Sequence, residues 1–290
     1  MSRRAQAVAS LAVLWLALVA ACASQPGVPR EMRAWNRPYP PFHVIGNIYY
    51  VGSSGIAQFL VTTPDGHFLI DSGFESSVPR LRANVESLGF HFADVKFLLT
   101  SHAHIDHVQG HALVRQSTGA TVVASVADGR VVAAGGKGEA VYDGVYSWTP
   151  CPVDRTVADG EAITLGGTTL VAHLTPGHTM GATTWTTRVV VDGRPLDVVI
   201  FPSANVNPGV RLVGNARYPN IADDFARSFA TWRALPCDVF LGVHGSFFDL
   251  DAKRGRMGAG RRNPFIDPDG YRLFVAEAEQ RFQAQLASER

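Results

Sequence analysis

Apolar and polar residues begin to alternate at His43, and short strands are predicted at 44–45, 48–51 and 58–62. Thr63-Pro64-Asp65-Gly66 has turn chemistry and folds the third strand back onto a fourth at 67–70. The period then changes to that of a helix over 78–88, with Val78, Leu81, Val85 and Leu88 on one face. An apolar strand at 95–99 follows, and another at 121–124. Between and beyond them lies a glycine-rich stretch around Gly135, Gly136 and Gly138, read as a mobile loop. A second meander is predicted over 162–187, then a hairpin over 189–201 turning at Asp192-Gly193. An amphipathic helix at 221–235 turns Ile221, Phe225, Phe229 and Trp232 inward, and a short strand occupies 239–243. The last helix opens at Asp267-Pro268, a cap followed by proline in the first turn, with Tyr271, Phe274, Val275, Ala278 and Phe282 on one side. Strands, helix, strand and helix thus occur twice, which predicts two similar halves packed sheet on sheet with helices outside. No shift in composition divides them, so residues 23–290 are read as one domain.

Composition changes this picture at the chain's start. Arg3 and Arg4 precede an apolar stretch from 5 to 21 that is too short for a stable membrane span, so residues 1–22 read as a secretory signal. Val19-Ala20-Ala21-Cys22 resembles a bacterial lipobox, which would place a lipid anchor on Cys22. Ordinary cleavage after Ala21-Cys22-Ala23 is the alternative. The expected location is the periplasm, with or without attachment to the outer membrane, and no later segment spans a membrane. Lys and Arg number 26 against 25 Asp and Glu, with no basic run, which excludes a nucleic-acid footprint and points to a small-molecule partner. Cys151 and Cys237 lack CxxC partners, so a cysteine metal or redox centre is unsupported. Cys237 reads as a buried free thiol.

The chemistry concentrates in Ser101-His102-Ala103-His104-Ile105-Asp106-His107, placed directly after a buried strand. In an extended turn, His102 and His104 project the same way and can share an ion, while Asp106 and His107 swing toward a neighbouring one. Imidazole nitrogens with one carboxylate suit zinc and leave positions open for water. A polar surface loop that happens to hold histidines is the alternative, and it fits poorly with this density after Phe97-Leu98-Leu99. Such a cluster cannot close two sites alone. His178, in Pro176-Gly177-His178-Thr179, and His244, in Gly242-Val243-His244-Gly245, follow apolar runs and supply the missing ligands.

HxHxDH, then PGHT, then a late GxH resembles the metallo-β-lactamase superfamily, from about position 42 to about 286. That resemblance implies a four-layer αββα sandwich of mixed α/β class, with two Zn2+ per chain. His102, His104 and His178 would hold the first ion, and Asp106, His107 and His244 the second. Asp71, in Leu69-Ile70-Asp71-Ser72-Gly73, matches the acid that braces the metal loops. His111 matches no ligand position and is expected to be supporting or exposed. Most thioester-cleaving and lactone-cleaving relatives place a metal-bridging aspartate where this chain has Phe201-Pro202-Ser203-Ala204. Met180-Gly181-Ala182-Thr183-Thr184-Trp185, Tyr218-Pro219 and the run from Arg233 to Val239 are similar to subclass B3 β-lactamases.

The implied activity is hydrolysis of the β-lactam amide of penicillins, cephalosporins and carbapenems by zinc-activated water, hence antibiotic resistance. Asp106 would orient that water and shuttle its proton. Ser203 matches the first residue that contacts the substrate carboxylate. The chain carries one extra residue before Pro208, and Asn205 is the candidate for the second. The cysteine that B3 enzymes place in the last helix is absent, which leaves Cys237 without that partner. Neither SxxK nor GxSxG occurs, so a serine nucleophile is unsupported. A monomer is expected. Two rivals remain: a lactonase or thioester hydrolase on the same fold, and a non-catalytic zinc-binding envelope protein.

Overall fold

Strands β1 (Phe42–Ile45), β2 (Ile48–Tyr50), β3 (Phe59–Thr63) and β4 (Gly66–Ile70) form an antiparallel meander. Strands β5 (Val95–Leu99), β6 (Thr121–Ser125) and β7 (Arg155–Val157) extend it in parallel, giving a seven-stranded sheet in sequential order. The second sheet has five strands in the order β12-β11-β10-β9-β8. They are β8 (Ala162–Leu165), β9 (Thr168–Leu174), β10 (Thr183–Val191), β11 (Arg194–Phe201) and β12 (Val239–Gly242), with β12 parallel to β11. The computed structural model describes residues 27–258 and 262–290. The expected leader and Cys22 lie outside the described residues.

Alternation along the strands decides the layering, because successive side chains point to opposite faces. Phe59, Val61, Phe68, Ile70, Leu99 and Val123 face inward and meet Leu170, Ala172, Trp185, Val198 and Ile200 of the second sheet. Their neighbours Leu60, Leu69, Leu98 and Val122 point outward and are covered by α1 (Val78–Ser87), through Val78, Leu81 and Val85, and by Val114. Both faces of β4 are therefore covered, and all five of its residues are buried. On the far side, α5 (Ile221–Ala234) packs Phe225, Phe229 and Trp232 into the same core as Val275, Ala278 and Phe282 of α7 (Pro268–Ser288). Each of these aromatic burials is worth about 1.5–3 kcal/mol. The result is helices, sheet, sheet, helices.

The halves are less alike than the sequence pattern implies, since one sheet has seven strands and the other five. The expected break near position 188 falls inside β10, which continues to Val191 because Arg188 is an outward residue paired with Asp197 across the hairpin. Four short helices had no clear periodic signal: α2 (Ile105–Val108), α3 (His111–Thr118), α4 (Val126–Ala133) and α6 (Leu250–Arg256). The capping reading of the last helix is matched by Asp267, whose side chain accepts from the Gly270 N–H. Cys151 is buried and Cys237 half-buried, not buried as expected, and both are free thiols. Among the described residues no helix is long and apolar enough to cross a membrane.

Candidate metal centre

The strands end together at one edge of the sandwich, and polar side chains collect there. β4 delivers Asp71, β5 runs into Thr100 and Ser101, β9 leads to His178, β11 to Ser203 and β12 to His244. Two bonds fasten this edge across the sheets: Trp185 Nε1–H donates to the Thr100 carbonyl (3.0 Å), and the Thr183 N–H donates to the Ser101 carbonyl (2.7 Å). His102 and His104 lie in extended backbone after β5. Asp106 and His107, expected in an extended turn, instead belong to the first turn of α2, which is nucleated immediately after His104. Gly177 and Gly181 frame His178. Gly177 has φ +137° with the Phe225 ring against it, and a Cβ on Gly181 would sit 2.1 Å from Ser125 Oγ and 2.5 Å from the Asp128 nitrogen.

Two triads result. The donor atoms of His102, His104 and His178 lie within 4.8 Å of one another, and so do those of Asp106, His107 and His244. Asp71 is buried in left-handed backbone (φ 60°), accepts from Ser101 N–H (2.8 Å) and Ser101 Oγ–H (2.6 Å), and faces His107 Nδ1 at 3.0 Å. The Ser101 hydroxyl, its proton given to Asp71, can accept from His102 Nδ1–H at 3.1 Å. His178 Nδ1–H donates to the Asn205 carbonyl (2.7 Å), and His244 Nδ1–H to the Gly55 carbonyl (3.2 Å).

These bonds turn a lone pair inward from each ring, and the consequence is unusual. His102 Nε2 is buried with no hydrogen-bond partner. His107 Nε2 and His244 Nε2 face each other at 3.1 Å, with Asp106 Oδ2 at 3.3 and 3.6 Å from them. Three acceptors converging on one point repel unless a cation lies between them, so the donor set fits a divalent metal, and nitrogen with carboxylate oxygen fits zinc. The electrostatics agree. Burial, reinforced by neighbouring imidazoles, holds His102 and His178 well below the usual histidine range and His244 at about 4, so all three offer neutral nitrogen. Burial also opposes charge on His107, but Asp106 and Asp71 outweigh it and lift its pKa to about 10. Burial would raise Asp106 too, yet the His107 charge keeps it ionised, below the normal carboxylate range. In the protein's own groups a proton on His107 stands where a metal would, and metal binding would release it.

Several contributors were not visible in the sequence. Asp128 Oδ2 accepts from both the Ala103 N–H (2.8 Å) and Thr179 Oγ–H (2.7 Å), tying the two metal loops together. Burial raises its pKa to about 6 against the pull of those donors. The available signal was Ser125-Val126-Ala127-Asp128, a capping pattern after a strand, with Ser125 accepting from the Asp128 N–H. Of the two alternatives for His111, supporting or exposed, the structure has the first: the ring is fully buried, its Nδ1 meets Ser72 Oγ at 2.7 Å and its Nε2 meets Thr100 Oγ at 3.0 Å. The triads floor a cleft of about 590 Å³ walled by Met32, Trp35, Ile105, Tyr142, Tyr146 and Val206. Ser203 and Asn205 both line it, although the Ser203 hydroxyl accepts from the Asn205 N–H and Asn205 touches His178 through its backbone. Arg281 of α7 is the one Lys or Arg among the described lining residues.

Residues 52–191 match the family described as the metallo-beta-lactamase superfamily. The structure is similar to native FEZ-1 metallo-β-lactamase from Legionella gormanii, at 42% identity and a TM-score of 0.86 over 88% of this chain and 98% of that one. The chain belongs to the metallo-β-lactamase superfamily. A subclass B3 member, BJP-1 of Bradyrhizobium japonicum, is 38% identical with a TM-score of 0.83, covering 89% of this chain and 97% of that one. A hydroxyacylglutathione hydrolase of Methylobacterium sp. (strain 4-46) is 34% identical over 101 residues, 35% of this chain. That match and one to a namesake from Brucella anthropi cover only 32% and 26% of those curated relatives' own lengths. As in other members of the superfamily, the αββα sandwich here carries a metal-binding edge and serves a hydrolase.

Proposed function

We propose that this chain is a zinc-dependent β-lactamase of the B3 kind, holding two ions and opening the β-lactam amide with water. The observation that carries the reading is the acid count at the site. The loop after β11 enters the cleft with Ser203 and brings no carboxylate, so Asp106 is the only acid in either triad. Relatives that cleave thioesters or lactones are expected to have an acid on that loop.

His102, His104 and His178 would hold one ion, and Asp106, His107 and His244 the other. Bound there, the ions supply Lewis acidity toward a carbonyl oxygen and make water acidic enough to ionise near neutral pH. The protein's groups do the rest. Asp106, kept anionic beside His107, orients the attacking water through its carboxylate, takes a proton, and returns it to the amide nitrogen as the C–N bond opens. Trp35, Tyr142 and Tyr146 wall the cleft with aromatic surface. Ser203, Asn205 and Arg281 supply polar and cationic groups for the carboxylate that β-lactams carry beside the ring.

The Methylobacterium match favours a second reading, thioester hydrolysis. The test is turnover of a carbapenem, a cephalosporin and a hydroxyacyl-glutathione thioester by purified protein, with and without a chelator. Chelator-sensitive β-lactam turnover restored by zinc is expected. Thioester turnover alone would overturn the reading and leave the fold and metal centre in place.

A further inference from the structure

Four of the five histidines in the triads have an identifiable outer partner: Ser101 for His102, Asp71 for His107, Asn205 for His178 and Gly55 for His244. His104 is the exception. Its Nε2 is buried and makes no hydrogen bond within the usual distance. A buried ring nitrogen without a partner is costly. The group standing against it is Glu139, buried, with Oε1 3.6 Å from His104 Nε2. The other carboxylate oxygen of Glu139 accepts from the backbone N–H groups of Val141 (2.7 Å) and Tyr142, which fixes the carboxylate in place. The Tyr142 ring packs edge-on against the His104 ring at 5.2 Å. Glu139 lies outside the group of donor atoms that fall within 4.8 Å of one another, so it stands behind His104 and not among the ligands.

We propose that Glu139 is the positioning residue of the first metal triad. It accepts the His104 Nε2–H, turns Nδ1 of that ring toward His102 and His178, and brings a negative charge beside a triad that has no carboxylate of its own. A carboxylate behind a ligating imidazole fixes its tautomer and raises its basicity. The glycine-rich segment thereby contributes to the metal centre: Glu139 follows Gly135, Gly136 and Gly138, all three at positive φ. This inference rests on reading His104 as a metal ligand.

The test is zinc affinity, measured by competition with a chromophoric chelator, in the wild type, Glu139→Ala, Glu139→Gln, His104→Ala and the His104→Ala/Glu139→Ala double variant. The 15N–1H imidazole spectrum of the zinc-loaded wild type is recorded alongside. Glu139→Ala should weaken one site by about 10–100-fold. Glu139→Gln, which keeps an acceptor, should recover part of that loss. Removing Glu139 should have little further effect once His104 is gone, and the wild-type spectrum should show His104 protonated at Nε2. An unchanged affinity in Glu139→Ala overturns the proposal, as does an equal loss with and without His104, which would mark a loop-holding role only. A His104 ring protonated at Nδ1 overturns it as well. Wild-type affinity in His104→Ala would instead remove the ligand reading on which it stands.

Discussion

His111 is held neutral from both sides. Ser72 Oγ–H donates to the backbone carbonyls of His107 and Gly73, so its lone pair accepts His111 Nδ1–H, while the Thr100 hydroxyl donates to Nε2. Burial, helped by the charge on His107, lowers its pKa from 6.5 to about 3. The unfolded chain therefore binds a proton here that the folded one refuses. The stability this ring contributes is fully present above about pH 6.5 and is lost as pH falls toward 3. Urea unfolding of metal-free wild type and His111→Asn should show a difference in slope of about 1.4 kcal/mol per pH unit across that window; parallel curves would mean the ring is protonated in the fold. In the proposed mechanism Asp106 carries the proton transfer, so Asp106→Ala should lower kcat by at least about 10²-fold with the fold intact, and His178→Ala should abolish turnover by emptying the first triad. Steady-state kinetics with circular dichroism checks both, and wild-type turnover in either would remove the site assignment. The six candidate ligands and Asp71 were legible because each sits in a short motif after an apolar run, where chemistry and local structure coincide. Glu139 and Asp128 were not, since each acts on a residue far away in sequence and neither disturbs the local pattern.

At the scale of elements, the same distinction decides which helices could be read. α1, α5 and α7 bury apolar stripes and show their period. α2 and α3 bury Asp106, His107 and His111, polar residues on inward faces, so the hydrophobic period vanishes where the function begins. α4 starts at a capping serine that also presents Asp128 to both metal loops, and the turn before β10 presses against the same spot at Gly181. Gly181→Ala would push a methyl into the Ser125 hydroxyl and the Asp128 backbone, and should cost about 1–3 kcal/mol in urea unfolding. It should also weaken zinc binding, because the link through Asp128 to Ala103 and Thr179 must shift; unaltered zinc affinity would show that the link is passive. α7 contributes its inner face to the core and Arg281 to the cleft. Arg281→Ala should raise KM for β-lactams roughly tenfold with kcat little changed, the loss of one charge-assisted contact. An unchanged KM would place the substrate carboxylate elsewhere.

For the whole molecule, two-layer packing was readable from alternation alone, but which strands share a sheet was not. β7 has three residues, and its place depends on pairing with β6 rather than on any pattern of its own. The strand ends meet at one edge, and each triad takes ligands from loops belonging to both sheets. His107 and His244 are 137 positions apart and touch. A cation held between them, bound by the folded chain and released by the unfolded one, stabilises the fold by its binding free energy, about 4 kcal/mol at a thousandfold excess over its Kd. Cys151 and Cys237 remain free, so no covalent bond duplicates that clasp among the described residues. Calorimetry should therefore show a melting temperature about 10 °C lower after chelation, and an unmoved transition would mean the ions bridge nothing. Heat tolerance in this protein becomes a quantity its surroundings can lend or withdraw, and a zinc-starved cell would hold a pool that unravels, and is degraded, sooner than its sequence alone would dictate.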